Sequence, residues 1–280
     1  MKRLLLGLFC ILLSGAVLAT AGKDVAKRVE ASMLVTGSIV VAPDGSVQSY
    51  AVDHPEKLPP VVVGLVGKDL QHWRFEPVLL DGKPVTAKAP MHLRIVARKR
   101  DDGNYNIGIR SAYFGRQTSF SRAQRMPPHY PPEAIAAGVS GTVYVLLRID
   151  RQGHVNDAVA EQVNLNFVAG DAAMRRWRRV LAWATLRAAR QWTFSPPTTD
   201  ETTGAEYNVA RVPVRFNLRR RDRPSRDAYG HWKTYMPGPL QPVPWFDRSR
   251  MVSNSVDAIP DGGVYSVDQS LHLTTPLDSV

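Results

Sequence analysis

Cysteine is almost absent: Cys10 is the single one in 280 residues. It follows Phe9 rather than a small residue and lies too early in an apolar run for lipid attachment. The rest of the chain therefore has no disulfide and no thiolate metal site, and its stability must come from packing. Long apolar runs are just as scarce. Lys2 and Arg3 precede one, Leu4 to Leu18, and the small residues Ala19-Thr20-Ala21 follow it. About fifteen apolar residues fall short of the roughly 20 that a spanning helix needs. The charged, apolar, small-residue order is that of a secretory signal peptide over 1–21, cleaved after Ala21, with a retained membrane anchor as the alternative. Membrane contact through this segment is expected only if it stays uncleaved.

Negative charge is in deficit. Lys and Arg number 36 against 25 Asp and Glu, a formal charge of +11, which attracts polyanions. Nucleic acid is the first partner to consider for an intracellular chain. Export argues against it and for anionic lipid headgroups, lipopolysaccharide or cell-wall polymers; a merely solvated basic surface fits equally well. Catalytic motifs are missing too. The seven histidines show no His-x-His or HExxH spacing, and no Gly-rich phosphate loop or GxSxG elbow occurs. The expectation is a non-enzyme without metal or cofactor.

What is present is one short phrase written twice, QHWRFEP at Gln71–Pro77 and RQWTFSP at Arg190–Pro196. Around the second copy, Val143, Val145, Leu147 and Ile149 alternate with Thr142, Tyr144, Leu146 and Arg148, which is strand periodicity. Asp150-Arg151-Gln152-Gly153 is turn chemistry, and His154–Glu161 returns as an antiparallel partner. Asp171 is the expected helix cap. Met174, Trp177, Leu181, Ala184 and Ala188 then follow at helical spacing, in one helix or two broken near Ala182. After the phrase come a polar loop, Thr198–Glu206, and a last strand in which Val212, Val214, Phe216 and Leu218 alternate.

The first copy runs in the same order. Gly37–Ala42 and Ser46–Val52 flank the turn Pro43-Asp44-Gly45, and Met91–Ile95 closes the set. Its helix has only position in its favour, because Val61-Val62-Val63-Gly64 has low helix propensity. The fold class is α+β: two tandem two-layer modules, each a small antiparallel sheet with a helix on one face. Their expected bounds are 22–100 and 123–220, with a linker at 101–122 in which Asn104–Phe114 is a candidate strand. In each phrase, Trp and Phe two apart at a helix end turn toward the sheet, and Pro stops the helix. Trp73, Phe75 and Pro77, and Trp192, Phe194 and Pro196, thus form a core clasp in each module.

The second copy resembles the TonB C-terminal domain family. The resemblance runs from PPHYPPEAIAAGVSGTVYVLLRIDRQGHV at Pro127–Val155, through ARQWTFSP, to VARVPVRFNL at Val209–Leu218. The Tyr130-Pro131 pair, the Gly138–Gly141 approach, the Asp-x-x-Gly turn and the Trp-x-Phe-x-Pro exit all stand where the family has them. The first copy is similar in degenerate form, without a Tyr-Pro start. The resemblance implies a periplasmic domain of the Gram-negative envelope. Such a domain recognises an extended peptide of an outer-membrane or other envelope protein by strand addition, as a non-catalytic adaptor. By the same resemblance the added peptide lies along Val212, Val214, Arg215, Phe216 and Leu218. Pro213 sits in the middle of that strand and Pro90 at the matching place in the first module, so the usable edge is shortened to Val214–Leu218. The family's energy transducers carry a retained anchor and a long Pro-rich spacer, which this chain lacks if its leader is cleaved. A genuine transducer with a retained anchor, and a basic protein holding anionic cell-surface polymer, are the two alternatives.

Two features stand outside the resemblance. Arg175, Arg176, Arg178 and Arg179 crowd five residues of the helix and form either a patch for an anionic partner or a solvated face beside carboxylates from elsewhere. From 221 to 280 the chain is rich in Pro and charge without periodicity, and reads as a disordered tail. Pro237, Pro239, Pro242 and Pro244 beside Trp245-Phe246 make either an extended docking segment or a strap on a module surface. No periodic apolar pattern lies beyond Ser225, so both modules are expected to fold without the tail.

Overall fold

A computed structural model describes residues 30–117, 125–195, 207–218, 229–247, 256–267 and 269–277. The segment expected to be a leader, the expected loop Thr198–Glu206 and Pro196 lie outside them. The architecture is α+β, with two main antiparallel sheets, each carrying a helix on one face, and a separate two-stranded ribbon. In the first module, β1 (Glu30–Val41) turns into β2 (Val47–Val52), and α1 (Pro60–Leu70) follows. A small hairpin, β3 (Val78–Leu80) and β4 (Lys83–Val85), leads into β5 (Ala87–Lys99) and β6 (Tyr105–Tyr113). β1 lies between β5 and β2, and β6 borders β5 on its other side. The Asn104–Phe114 segment is thus an outer strand of the first sheet. β1 itself begins at Glu30, earlier than the Gly37 that alternation marks.

Helix α1 forms despite its β-branched run. Pro60 occupies the first turn, where its missing N–H costs nothing. Val62, Val66 and Leu70, four apart, are fully buried against the sheet. Burial worth about 1.5–3 kcal/mol per side chain outweighs propensity differences of tenths.

In the second module, α2 (Pro132–Ala136) precedes β7 (Gly141–Asp150), β8 (Val155–Leu165), α3 (Asp171–Ala189) and β9 (Tyr207–Phe216). β7 lies between β8 and β9. α3 is one unbroken helix, and its cap is Gly170; Asp171 is the first helical residue, where a carboxylate faces the free amides and the positive helix end. Met174, Leu181 and Ala184 are buried, while Trp177 and Ala188 are half-buried at the margins of the packed stripe.

The repeated phrase does the same mechanical work in both modules. Trp73, Phe75, Trp192 and Phe194 are each no more than 4% exposed. The N–H of Phe75 donates to the carbonyl of Gly45 at 2.8 Å, and the N–H of Phe194 donates to that of Gly153 at 2.8 Å. Both glycines lie at the hairpin turn with positive φ, 81° and 87°. A Cβ at either would strike the carbonyl oxygen of the clasp phenylalanine. The segment leaving the helix is therefore pinned across the turn of the first hairpin. Trp192 adds an indole N–H bond to the carbonyl of Met126, at 2.9 Å.

Residues 221–280 do not form a disordered tail where they are described. β10 (Lys233–Tyr235) pairs with β1 at Glu30–Ser32, and the very next residue, Met236, bridges Leu165 of β8. The chain then runs along the outside of β8, where Gln241 N–H donates to the Glu161 carbonyl at 2.7 Å. The Pro-Trp segment is a strap: Arg148 lies over the Tyr207 ring at 4.7 Å and the Trp245 ring at 5.6 Å. β11 (Tyr265–Ser266) pairs with β9, and Leu271 enters the core of the first module.

Between those points the tail lies between the two sheets, on the faces turned away from their helices. Asp257 is fully buried there. Its carboxylate accepts from Ser111 of β6 at 2.8 Å, from Asn164 of β8 at 2.8 Å, and from the Tyr235 hydroxyl. Its backbone carbonyl accepts two bonds from Arg94 of β5, at 3.1 and 2.6 Å. Val256, Ala258, Ile259 and Tyr265 pack around it with Tyr113 and Tyr144. This layer corrects the alternation assigned to β7. Thr142, Tyr144 and Leu146 are buried, as their neighbours on the helix side are, because helix covers one face and tail the other. Across β7, buried Arg211 and Glu161 pair through two contacts, at 2.6 and 3.2 Å.

His92 lines this layer, stacked on Tyr113 at 5.9 Å and edge-on to Tyr265 at 6.3 Å, with its Nδ1 buried and unbonded. Burial lowers its pKa to about 4, against a smaller opposing pull from Asp53. A histidine whose folded value is depressed contributes stability above its unfolded value, near 6.5, and loses it as pH falls toward 4. Thermal melts should therefore show a loss between pH 6.5 and 4.5 that is smaller in His92→Leu. An equal loss in both proteins would assign the acid sensitivity elsewhere.

Candidate functional site

Two surfaces carry the residues singled out from sequence. The first is the outer edge of β9. Val212 and Phe216 are buried, Val214 is half-buried, Arg215 is exposed, and Leu218 lies past the end of the strand. The edge is not open along its length. Tyr265 and Ser266 pair with Arg211 and Ala210, and Gly262 N–H approaches the Pro213 carbonyl at 3.4 Å. The outward carbonyl of Pro213 shows that its missing N–H also points outward, where no ladder bond is lost. Pro90 obeys the same rule, since β6 pairs with β5 only from His92 onward. Beyond Pro213, no strand pairs with the outside of β9 among the described residues. Arg215 stands there, with its guanidinium 3.3 Å from Asp261 of the tail.

The second surface is α3. Arg175, Arg176 and Arg179 are exposed, and Arg176 stacks on Trp177 at 4.9 Å. Arg178 has a different task. It turns inward and donates to the carbonyls of Val163, Met236 and Pro237 at 3.1–3.3 Å, tying the strap to β8. Burial draws its pKa below the usual arginine range, with Asp171 partly offsetting this. A groove of about 460 Å³ runs between helix and strap, lined by Arg175, Arg178 and Arg179 with Ala160, Val163 and Pro239. A second, of about 410 Å³, lies on the other flank of α3 against Pro127, His129 and Tyr130. Tyr130 itself is fixed by its hydroxyl on the Val139 carbonyl and by its ring against Phe216.

Sequence reading passed over Trp183 and Arg187, which flank the second groove. The helical spacing that places Arg176 and Arg179 on one face would have added both. Among the described residues, no three His, Asp or Glu side chains converge as a metal site requires. No described helix is long and apolar enough to cross a membrane.

The chain matches no family model and no solved structure. It is 33% identical over 104 residues to Protein TonB of Xanthomonas campestris pv. campestris, in two strains, over 37% of this chain and 40% of that protein. It therefore spans about two fifths of the length of the curated relatives it matches. A partial match of this identity supports a TonB C-terminal-like region within the chain.

Proposed function

We propose that the chain is a non-catalytic adaptor of the Gram-negative periplasm, built from two TonB-C-like modules of which the first is degenerate. Its second module holds an extended segment of an outer-membrane or other envelope protein by strand addition. The observation that carries this reading is the outer edge of β9 after Pro213, which among the described residues has no paired strand, with Arg215 exposed beside it. An unpaired edge offers amides and carbonyls to an incoming peptide. The tail shortens the edge, so the contact is short and the affinity modest.

Backbone amide NMR of the full chain, titrated with extended peptides from outer-membrane proteins, tests this. Shifts centred on Val214–Leu218 are expected. Shifts confined to α3 would overturn the edge reading. The two relatives named Protein TonB favour a second reading, an energy transducer whose apolar N-terminus stays in the membrane. An N-terminal mass beginning at Gly22 in envelope extracts excludes it.

A further inference from the structure

From Ala172 to Arg190 the chain carries six arginines and no carboxylate. Five of them are exposed; Arg178 alone turns inward. Arg176, Arg179, Trp183, Arg187 and Arg190 recur at steps of three and four, which sets them in one straight stripe along α3. At 1.5 Å per residue the stripe is about 21 Å long. Among the described residues, none of these exposed arginines pairs with a carboxylate. Glu133 is, among the described residues, the one acidic residue lining either flanking groove. The compensating carboxylates that one of the two readings of this helix requires are, among the described residues, not paired with its exposed arginines; Asp171, in the first turn, acts on the inward Arg178.

Trp183 stands in the middle of the stripe, 63% exposed, with the Arg187 guanidinium over its ring at 5.5 Å. Met126, 73% exposed, lines the groove beside it. Water is a poor environment for an indole and a thioether held out side by side. Like charges three and four apart also repel along the helix.

We propose that this face of α3 docks on an anionic phospholipid surface, with the arginines on headgroup phosphates and Trp183 inserted between headgroups. Three observations favour a lipid surface over an acidic protein. The stripe is of one sign throughout and longer than any single small anion. Its centre is an amphipathic ring of the kind that sits at headgroup level. The apolar floors of the two grooves adjoin the cations rather than standing apart from them, so an acyl-linked phosphate meets both at once. This docking is independent of the β9 edge, and either can fail alone.

The test is flotation of the full-length chain with phosphatidylglycerol-containing vesicles and with phosphatidylcholine vesicles; the latter report whatever the apolar N-terminus contributes. Binding specific to the anionic vesicles is expected, and it should weaken as salt rises from about 0.05 to 0.5 M. A cation near such a surface contributes about fivefold in affinity. Arg176→Glu, Arg179→Glu and Arg187→Glu together should therefore lower binding by about 100-fold or more, and Trp183→Ala, which removes the inserted ring, should weaken it as well. Circular dichroism checks that each variant is folded. Three results would each overturn the proposal: equal binding to both vesicle types, unchanged binding of the folded variants, or capture of an acidic peptide or soluble anionic polymer through these residues without vesicle binding.

Discussion

Truncation after Ser225 is expected to abolish cooperative folding of both modules. The deletion strips β10 from β1 and β11 from β9. It also removes Met236, Val256, Ile259, Val264, Tyr265 and Leu271, all buried. At about 1.5–3 kcal/mol for each buried apolar side chain, six of them rival the roughly 5–15 kcal/mol that holds a whole domain. The polar losses act in the same direction. Without Asp257, the Ser111 hydroxyl and the Asn164 amide lose acceptors at buried positions, and an unsatisfied buried donor costs about 1–3 kcal/mol. Tyr113 of the first sheet and Tyr144 and Leu146 of the second would then face water on bared faces. Circular dichroism melts should show a broad, non-cooperative signal and the truncated chain should aggregate. A sigmoidal melt within a few degrees of the full chain would show that the tail is dispensable.

That the tail is structural was hidden in the sequence for a physical reason. Helices and strands announce themselves by period, because one face repeats against one partner. The tail has no single partner: Tyr235 pairs with the first sheet, Met236 with the second, Asp257 with both, and Leu271 enters the first core. A buried residue every few positions, each against something different, leaves no period to find. β7 misled in a related way, since Tyr144 and Leu146 are apolar enough to be buried on a second face, and only the tail supplies one. The hairpins, α3, the order of elements in each module and the burial of the paired Trp and Phe were legible, because each rests on contacts within about 75 residues of chain. The arginines of α3 were legible as a cluster. That none of the exposed ones pairs with a carboxylate among the described residues was not, since that depends on what every other element brings near the helix.

Replacing Trp192 with Ala should lower the stability of the second module by about 3–5 kcal/mol, read as a fall in the denaturation midpoint. Trp73→Ala should do the same in the first. Two contributions combine at Trp192: a buried indole packed with Val145, Leu147 and Val212, and the N–H bond to Met126 that anchors the segment entering the module. Lost burial alone does not distinguish a clasp from any large core residue, but Gly153 does. Gly153→Ala adds a methyl group at φ 87°, against the Phe194 carbonyl, so the exit strand must lift off the hairpin turn or the turn must rearrange. If the clasp is one mechanical unit, either variant already releases it. The double variant should then lose less than the sum of the singles, by roughly 0.5–3 kcal/mol of coupling. Strict additivity would mean that Trp192 only fills space and that the repeated phrase owes its recurrence to burial alone.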